Sequence, residues 1–164
     1  MAQNAVYQQY PANYAGKQYQ FSNILLNVTG TYFPFIVSLS YSDTNDVAEG
    51  RGVSPYPMGT TLGEYKATGN IEVQKAYNKQ FQDLIKALSP NKKSLYDAVF
   101  PITVQYQLDL ASPVETDTLV GCRLTGQGQD LSAGNGVLTV KYPLYIAVIF
   151  WNGLTPLDGI GQTQ

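Results

Sequence analysis

The sequence predicts a mainly β fold of the α+β kind: an antiparallel sandwich or open barrel flanked by one helix. Three observations carry this. About six segments alternate apolar and polar residues, the pattern of half-buried strands. One segment, 75–88, switches to a helical period. One stretch, 42–61, follows neither period.

In chain order, residues 1–20 (MAQNAVYQQYPANYAGKQYQ) are a low-complexity arm with four tyrosines and no period. The folded domain is expected over 21–154, followed by a tail at 155–164. Ile24, Leu26 and Val28 alternate with Leu25 and Asn27, and Thr29-Gly30-Thr31 is a hairpin turn. Tyr32–Tyr41 reads as a second strand with Phe35, Val37 and Leu39 on one face. Pro34 has no N–H for a ladder, so it belongs at the strand start or a sheet edge.

Ser42–Thr61 (SDTNDVAEGRGVSPYPMGTT) then reads as a long loop. Connections in compact domains run to about 4–6 residues, and loops beyond about 12–15 residues are functional or disordered. This one carries Val53, Tyr56 and Met58, so it is an arm with apolar anchors that needs something to dock on.

Beyond it, Tyr65, Ala67, Gly69, Ile71 and Val73 alternate with Lys66, Thr68, Asn70, Glu72 and Gln74. In Lys75–Leu88, Tyr77, Phe81, Leu84, Ile85 and Leu88 form one helical stripe, closed by Ser89-Pro90. Such a stripe is expected to pack on a sheet. Phe100, Ile102, Val104, Tyr106 and Leu108 mark the next strand. In Thr118–Thr125, Val120, Cys122 and Leu124 share a face. Gly126–Gly136 is a second flexible connection. Leu138, Val140, Tyr142, Leu144 and Ile146 mark the last strand, and the segment after Trp151 reads as irregular.

Composition excludes several functions. The net charge of −2 with 13% charged residues offers no basic footprint for nucleic acid. Lys92-Lys93 is the only adjacent basic pair and reads as a solvated loop. The 164 residues suffice for one domain with its own core. One cysteine rules out an intrachain disulfide framework. No secretory signal is evident, and the longest apolar run, 145–151, is too short to span a bilayer as a helix, so no membrane insertion is expected.

The chain contains no histidine, which removes the commonest general base and metal ligand. Cys122 reads as a small core hydrophobe. Asp43, Asp46 and Glu49 lack calcium-loop spacing, because Val47 stands where an oxygen ligand is required; they read as a solvated acidic loop. The Gly-x-Gly pairs lack a third glycine and a Walker lysine. Asn27-Val28-Thr29 has the glycosylation pattern but no secretory context. An enzyme would have to rest on scattered carboxylates such as Glu64 with Glu72. The expectation is therefore no enzyme, no cofactor and no metal.

The strand faces hold Thr, Gln, Asn and Ser with few charges, although exposed sheets normally protect their edges with charge. Such faces suit a surface beside copies of itself or a wet channel; an ordinary solvated face is the alternative.

The blocks SLSYSD (38–43), EGRGVSPYPMGTTLGEYKATGNIEV (49–73), FPITVQY (100–106), TDTLVGCRL (116–124), LTVKYPLYI (138–146) and WNGL (151–154) are similar, in order and spacing, to the tail tube proteins of tailed bacteriophages, most of all those of contractile tails. The resemblance spans roughly Phe21 to Leu154, leaves out the N-terminal arm, and includes no catalytic signature. It implies a tail-tube-like domain of a virion tail, made in the host cytoplasm. It implies hexameric rings stacked into a tube, with sheath, tape-measure, baseplate and tail-terminator proteins as partners. It also implies that DNA passes through the lumen without specific binding.

In that setting Arg51, Val53, Tyr56, Met58, Leu62 and Glu64 are expected at the subunit or ring interface. Glu72, Gln74, Gln105 and Gln107 are expected to face the lumen. A tube protein of a secretion or other contractile-injection system shares this implied fold. A monomeric sandwich that binds a ligand through the long loop is the remaining reading.

Overall fold

The computed structural model describes residues 24–108 and 111–157. The N-terminal arm 1–20 and the end of the 155–164 tail lie outside the described residues. Eleven strands occur in this order: β1 (Ile24–Val28), β2 (Thr31–Tyr32), β3 (Ile36–Asn45), β4 (Ala48–Gly50), β5 (Gly59–Thr61), β6 (Tyr65–Gln74), β7 (Phe100–Tyr106), β8 (Glu115–Leu124), β9 (Gly128–Gln129), β10 (Thr139–Ile146) and β11 (Val148–Phe150). A 3₁₀ turn, Lys75–Tyr77, leads into α1, Asn78–Lys86.

Every strand pair is antiparallel, and the fold is open. One sheet runs β2-β1-β7-β8-β11. The other runs β3-β6-β10-β9, and the two join where Leu124 and Arg123 of β8 pair with Leu144 and Tyr145 of β10. The inner faces share one core. Leu26, Val28, Ile102, Val104 and Leu119 come from the first sheet; Ala67, Ile71, Val73, Val140, Tyr142, Leu144 and Ile146 come from the second. The helix adds Phe81 and Ile85, both fully buried.

Alternation explains these elements wherever strands are regular. Where it slips, a backbone irregularity is the cause. The register shifts between Ile36 and Ser38, so Ile36 is buried and Val37 exposed. Val37 therefore leaves the face it was expected to share with Phe35 and Leu39. A second shift separates Phe100/Cys122 from Ile102/Leu119. Leu119 takes the inward place expected for Val120, which is exposed, while Cys122 and Leu124 stay inside.

Gly121 makes that bulge. Its φ is +68°, and an added Cβ would lie 2.7 Å from the Ala147 Cβ. Only glycine tolerates both demands without strain. The same corner carries the chain from β10 into β11, moving it from one sheet to the other.

Two turns have left-handed residue pairs. Thr29 and Gly30 (φ +56° and +79°) close the β1–β2 hairpin as expected. Asn152 and Gly153 (φ +51° and +78°) build a turn closed by the Leu154 N–H donating to the Trp151 carbonyl, 2.9 Å. The segment after Trp151 is thus not irregular at its start. Asn-Gly is the sequence signal for this turn type.

The helix is shorter than 75–88 and begins as a 3₁₀ turn, leaving Leu88 exposed. It is pinned to the second sheet. Phe81 packs on Tyr142 and Phe33, with centroids 5.2 and 5.6 Å away. The Tyr142 hydroxyl donates to Asn78 Oδ1 and accepts from Gln82 Nε2.

Candidate functional site: a projecting arm and a polar sheet face

Ser42–Thr61 is not a structureless loop. β3 continues through Asn45, paired with β6 as far as Tyr65. Beyond that root, β4 and β5 form a separate two-stranded hairpin, Ala48 to Thr61. Residues 46–62 are all exposed.

The arm's apolar side chains therefore have no core to enter: Val53 is fully exposed, and Tyr56, Met58 and Leu62 are about three-quarters exposed. Val47 joins them at 55%. An isolated hairpin is marginal in water, and this one carries a contiguous set of uncovered apolar side chains. Covering one such side chain stabilises by about 1.5–3 kcal/mol.

The arm root is tight. Asp46 N–H donates to the Glu64 carbonyl at 3.1 Å, and a Cβ on Gly63 would lie 1.2 Å from the Asp46 oxygen. Of the charges expected at the interface, Arg51 meets Glu49 within the arm at 2.9 Å. Glu64 meets Lys66 at 3.4 Å. Both pairs are solvated and contribute little to the monomer.

The second sheet presents a polar wall beside the arm. Ser38, Ser40, Ser42 and Thr44 of β3 stand next to Glu72, Asn70, Thr68 and Lys66 of β6. Thr139 and Lys141 of β10 stand next to Gln74 and Glu72. Glu72 accepts hydrogen bonds from Ser38, at 3.1 Å, and from Thr139. Lys141 lies 3.4 Å from Asp130. The wall is hydroxyl-rich and its charges are largely internally matched.

The four residues expected to line one lumen do not share a surface. Glu72 and Gln74 lie on the outer face of the second sheet. Gln105 lies on the outer face of the first, on β7, and Gln107 just follows β7. The outer faces of two sheets packed core to core point apart, so a single wall can use one pair only.

Nor do the scattered carboxylates converge. Glu64, just before β6, and Glu72, near its far end, are about 26 Å apart at the rise of a strand. Among the described residues no group of three His, Cys, Asp or Glu side chains could hold a metal, and no helix is long and apolar enough to cross a membrane. The concavity beside Tyr65 is lined by Ala147, Val148, Phe150, Thr155, Pro156 and Leu157 and contains no charged side chain. Burial pushes the Cys122 thiol up to about 12, which keeps it protonated and inert at neutral pH.

Composition and periodicity missed a polar cluster at the arm end of the sandwich. Asp117 is 7% exposed. It accepts from the Tyr41 hydroxyl at 2.6 Å and from the Asn152 N–H at 3.1 Å. Tyr41 spends its one proton on that carboxylate, so Tyr106 donates to Tyr41, 2.5 Å. Asp43 Oδ2 accepts from Tyr65 at 2.9 Å and from the Trp151 indole at 2.9 Å. The Tyr65 hydroxyl in turn accepts from the Ile149 N–H at 3.0 Å. Asp43 is therefore not part of a solvated acidic loop. Burial, then the bond to Asp117, holds the Tyr41 hydroxyl far above its ordinary range; burial also raises Tyr65, Tyr106 and Tyr142.

This open, mainly antiparallel fold with a flanking helix is similar to the fold of chains in solved contractile-injection-system tube and terminator structures. The similarity extends to the PVC sheath/tube terminator of an extracellular contractile injection system in its extended state (TM-score 0.62, 14% identity, 85% of this chain and 95% of that chain). The PVC sheath–tube complex matches as well (TM-score 0.62, 14% identity, 84% and 93%). So does the tube-terminating cap of the anti-feeding prophage (TM-score 0.62, 11% identity, 80% and 89%). No family model and no curated protein matches the chain.

Proposed function

We propose that this chain is a structural subunit of a contractile tail or injection tube: copies close into six-membered rings, and rings stack around a lumen. The observation that carries this is the arm, a hairpin with five exposed apolar side chains and no packing of its own. The placement of a second apolar loop supports stacking. Leu131 and Val137, each more than 70% exposed, lie in the connection that precedes β10, whose start is at the end of the second sheet opposite the arm root. A subunit with complementary apolar groups at its two ends assembles head to tail, the heterologous geometry of rings and filaments. The open edge of β3, paired among the described residues only with β6, suits lateral closure.

In this reading the polar wall of the second sheet faces the lumen, and the subunit acts without catalysis. Sheath, baseplate, tape-measure and terminator proteins are its partners. A wall without a basic surplus lets a polyanion slide rather than bind, as a phage tail passing DNA into a host requires. The likeness to extracellular injection systems favours a second cargo reading, a tube of a non-phage injection device. Mass spectrometry of purified particles distinguishes them: a capsid with packaged DNA marks a phage tail, and a headless sheath–tube particle marks an injection device.

The test of the tube reading is the double variant Tyr56→Ser/Met58→Ser. Monomer stability should change by no more than about 0.5 kcal/mol, as for exposed surface sites. Electron microscopy should show tubes replaced by short stacks or free subunits. Tubes of normal length from the variant would sink the docking role.

A further inference from the structure

We infer that the turn Trp151–Leu154 is a strut that aims the arm, with Asp43 and Asp117 as its positioning residues; the inference takes from the tube reading only that the arm docks. β3 is an edge strand, so among the described residues its last residues pair with one strand, β6, and with no strand on the other side. The arm grows from these weakly supported ends, at Asn45 and Tyr65.

The lateral support they do have comes from residues 149–152, more than a hundred positions along the chain from Asp43 in the case of Trp151. Trp151 and Tyr65 both donate to one oxygen, Asp43 Oδ2, at 2.9 Å each. Tyr65 is the first residue of β6, so this oxygen ties both strands of the arm root to the turn. The Ile149 N–H adds a bond to Tyr65. The Trp151 ring lies 5.1 Å from that of Tyr41. Asp117 fixes the far side, holding the Asn152 N–H and the Tyr41 hydroxyl with its two oxygens.

A hinge restrained from the side by side-chain bonds keeps its direction; with the bonds removed, a bare two-strand root twists and bends. The strut is chemically specific. The root needs an acceptor oxygen at position 43, not a charge, because both donors use the same atom. Asp43→Asn should therefore preserve it and Asp43→Ala should not. Trp151→Phe keeps an aromatic ring beside Tyr41 but removes the indole N–H together with part of the ring system.

Spin labels on Ser54→Cys in the arm and Gln80→Cys on α1 report the arm's direction in the soluble subunit, since Cys122 is buried and unreactive. The distance distribution between them is expected to be narrow in the parent and in Asp43→Asn. It should roughly double in width in Asp43→Ala and in Trp151→Phe. Widths in both of the latter variants equal to the parent's would overturn the proposal. Should Asp43→Ala fail to fold, Trp151→Phe decides alone. Tube formation is scored separately. Absent tubes in the parent would refute the tube reading while the distances still decide the strut.

Discussion

At single residues, backbone geometry and burial decide more than side-chain chemistry. Gly121 and Gly63 are required for different reasons. Gly121 has a left-handed φ and a neighbour 2.7 Å away; Gly63 meets a backbone oxygen that nothing can move aside. Gly121→Ala should destabilise the subunit by roughly 1–3 kcal/mol in urea unfolding, the cost of a strained left-handed residue. Gly63→Ala should instead dislocate the arm root and abolish tube formation while far-UV circular dichroism is kept. The raised tyrosines make an alkaline prediction. Their folded-state values lie above the unfolded value of 10.0, so the folded chain holds protons that the unfolded chain releases. Stability is complete below pH 10 and falls as pH rises through the folded values. Denaturant midpoints measured between pH 8 and 11 should drop only above about pH 10.

At the scale of elements, strand and helix periods were legible because one face of each element is buried. Leu26/Val28, Phe100/Ile102/Val104 and Val140/Tyr142/Leu144/Ile146 lie inside as alternation requires, with Ile24 half-buried against them. The errors fall at bulges and at the arm. A bulge inserts a residue and reverses the phase, and a period read through it puts Val37 and Val120 on the wrong side. The arm gave no period because neither of its faces meets a core in the subunit. The helix is anchored by Phe81, which touches Tyr142 and Phe33. Phe81→Ala should cost about 3–5 kcal/mol and lower the midpoint of thermal unfolding, as large-to-small changes at fully buried aromatics do.

At the scale of the whole molecule, the chain is a compact two-sheet body with an apolar group at each end of one sheet and an open strand edge along its side. In the proposed tube role that distribution drives association at high concentration. Sedimentation should show concentration-dependent association, and micrographs of the assembled species should show six-fold rings with a central lumen. Monodisperse monomer at millimolar concentration would contradict the assembly role. The Asp43 and Asp117 clusters connect this scale to the others, since they bond the turn 151–154 to the root of the arm. Neither carboxylate was legible as functional. Asp43 sits in an acidic stretch that reads as solvated, and Asp117 is one polar residue in an alternating strand; their donors lie 22 to 108 positions away in the chain for Asp43 and 35 and 76 for Asp117.

The sequence by itself determined the class of fold, the antiparallel order, the helix and the presence of a long segment that follows no strand or helix period. Those follow from local periodicity, which burial imprints directly on neighbouring residues. Tertiary structure alone decided that the long loop is a hairpin, that Glu72 and Gln105 face apart, and that Trp151 beside the Asn-Gly turn bonds to Asp43 at the arm root. Each of these depends on which distant segments meet, and no local pattern records the pairing of Asp43 with Trp151.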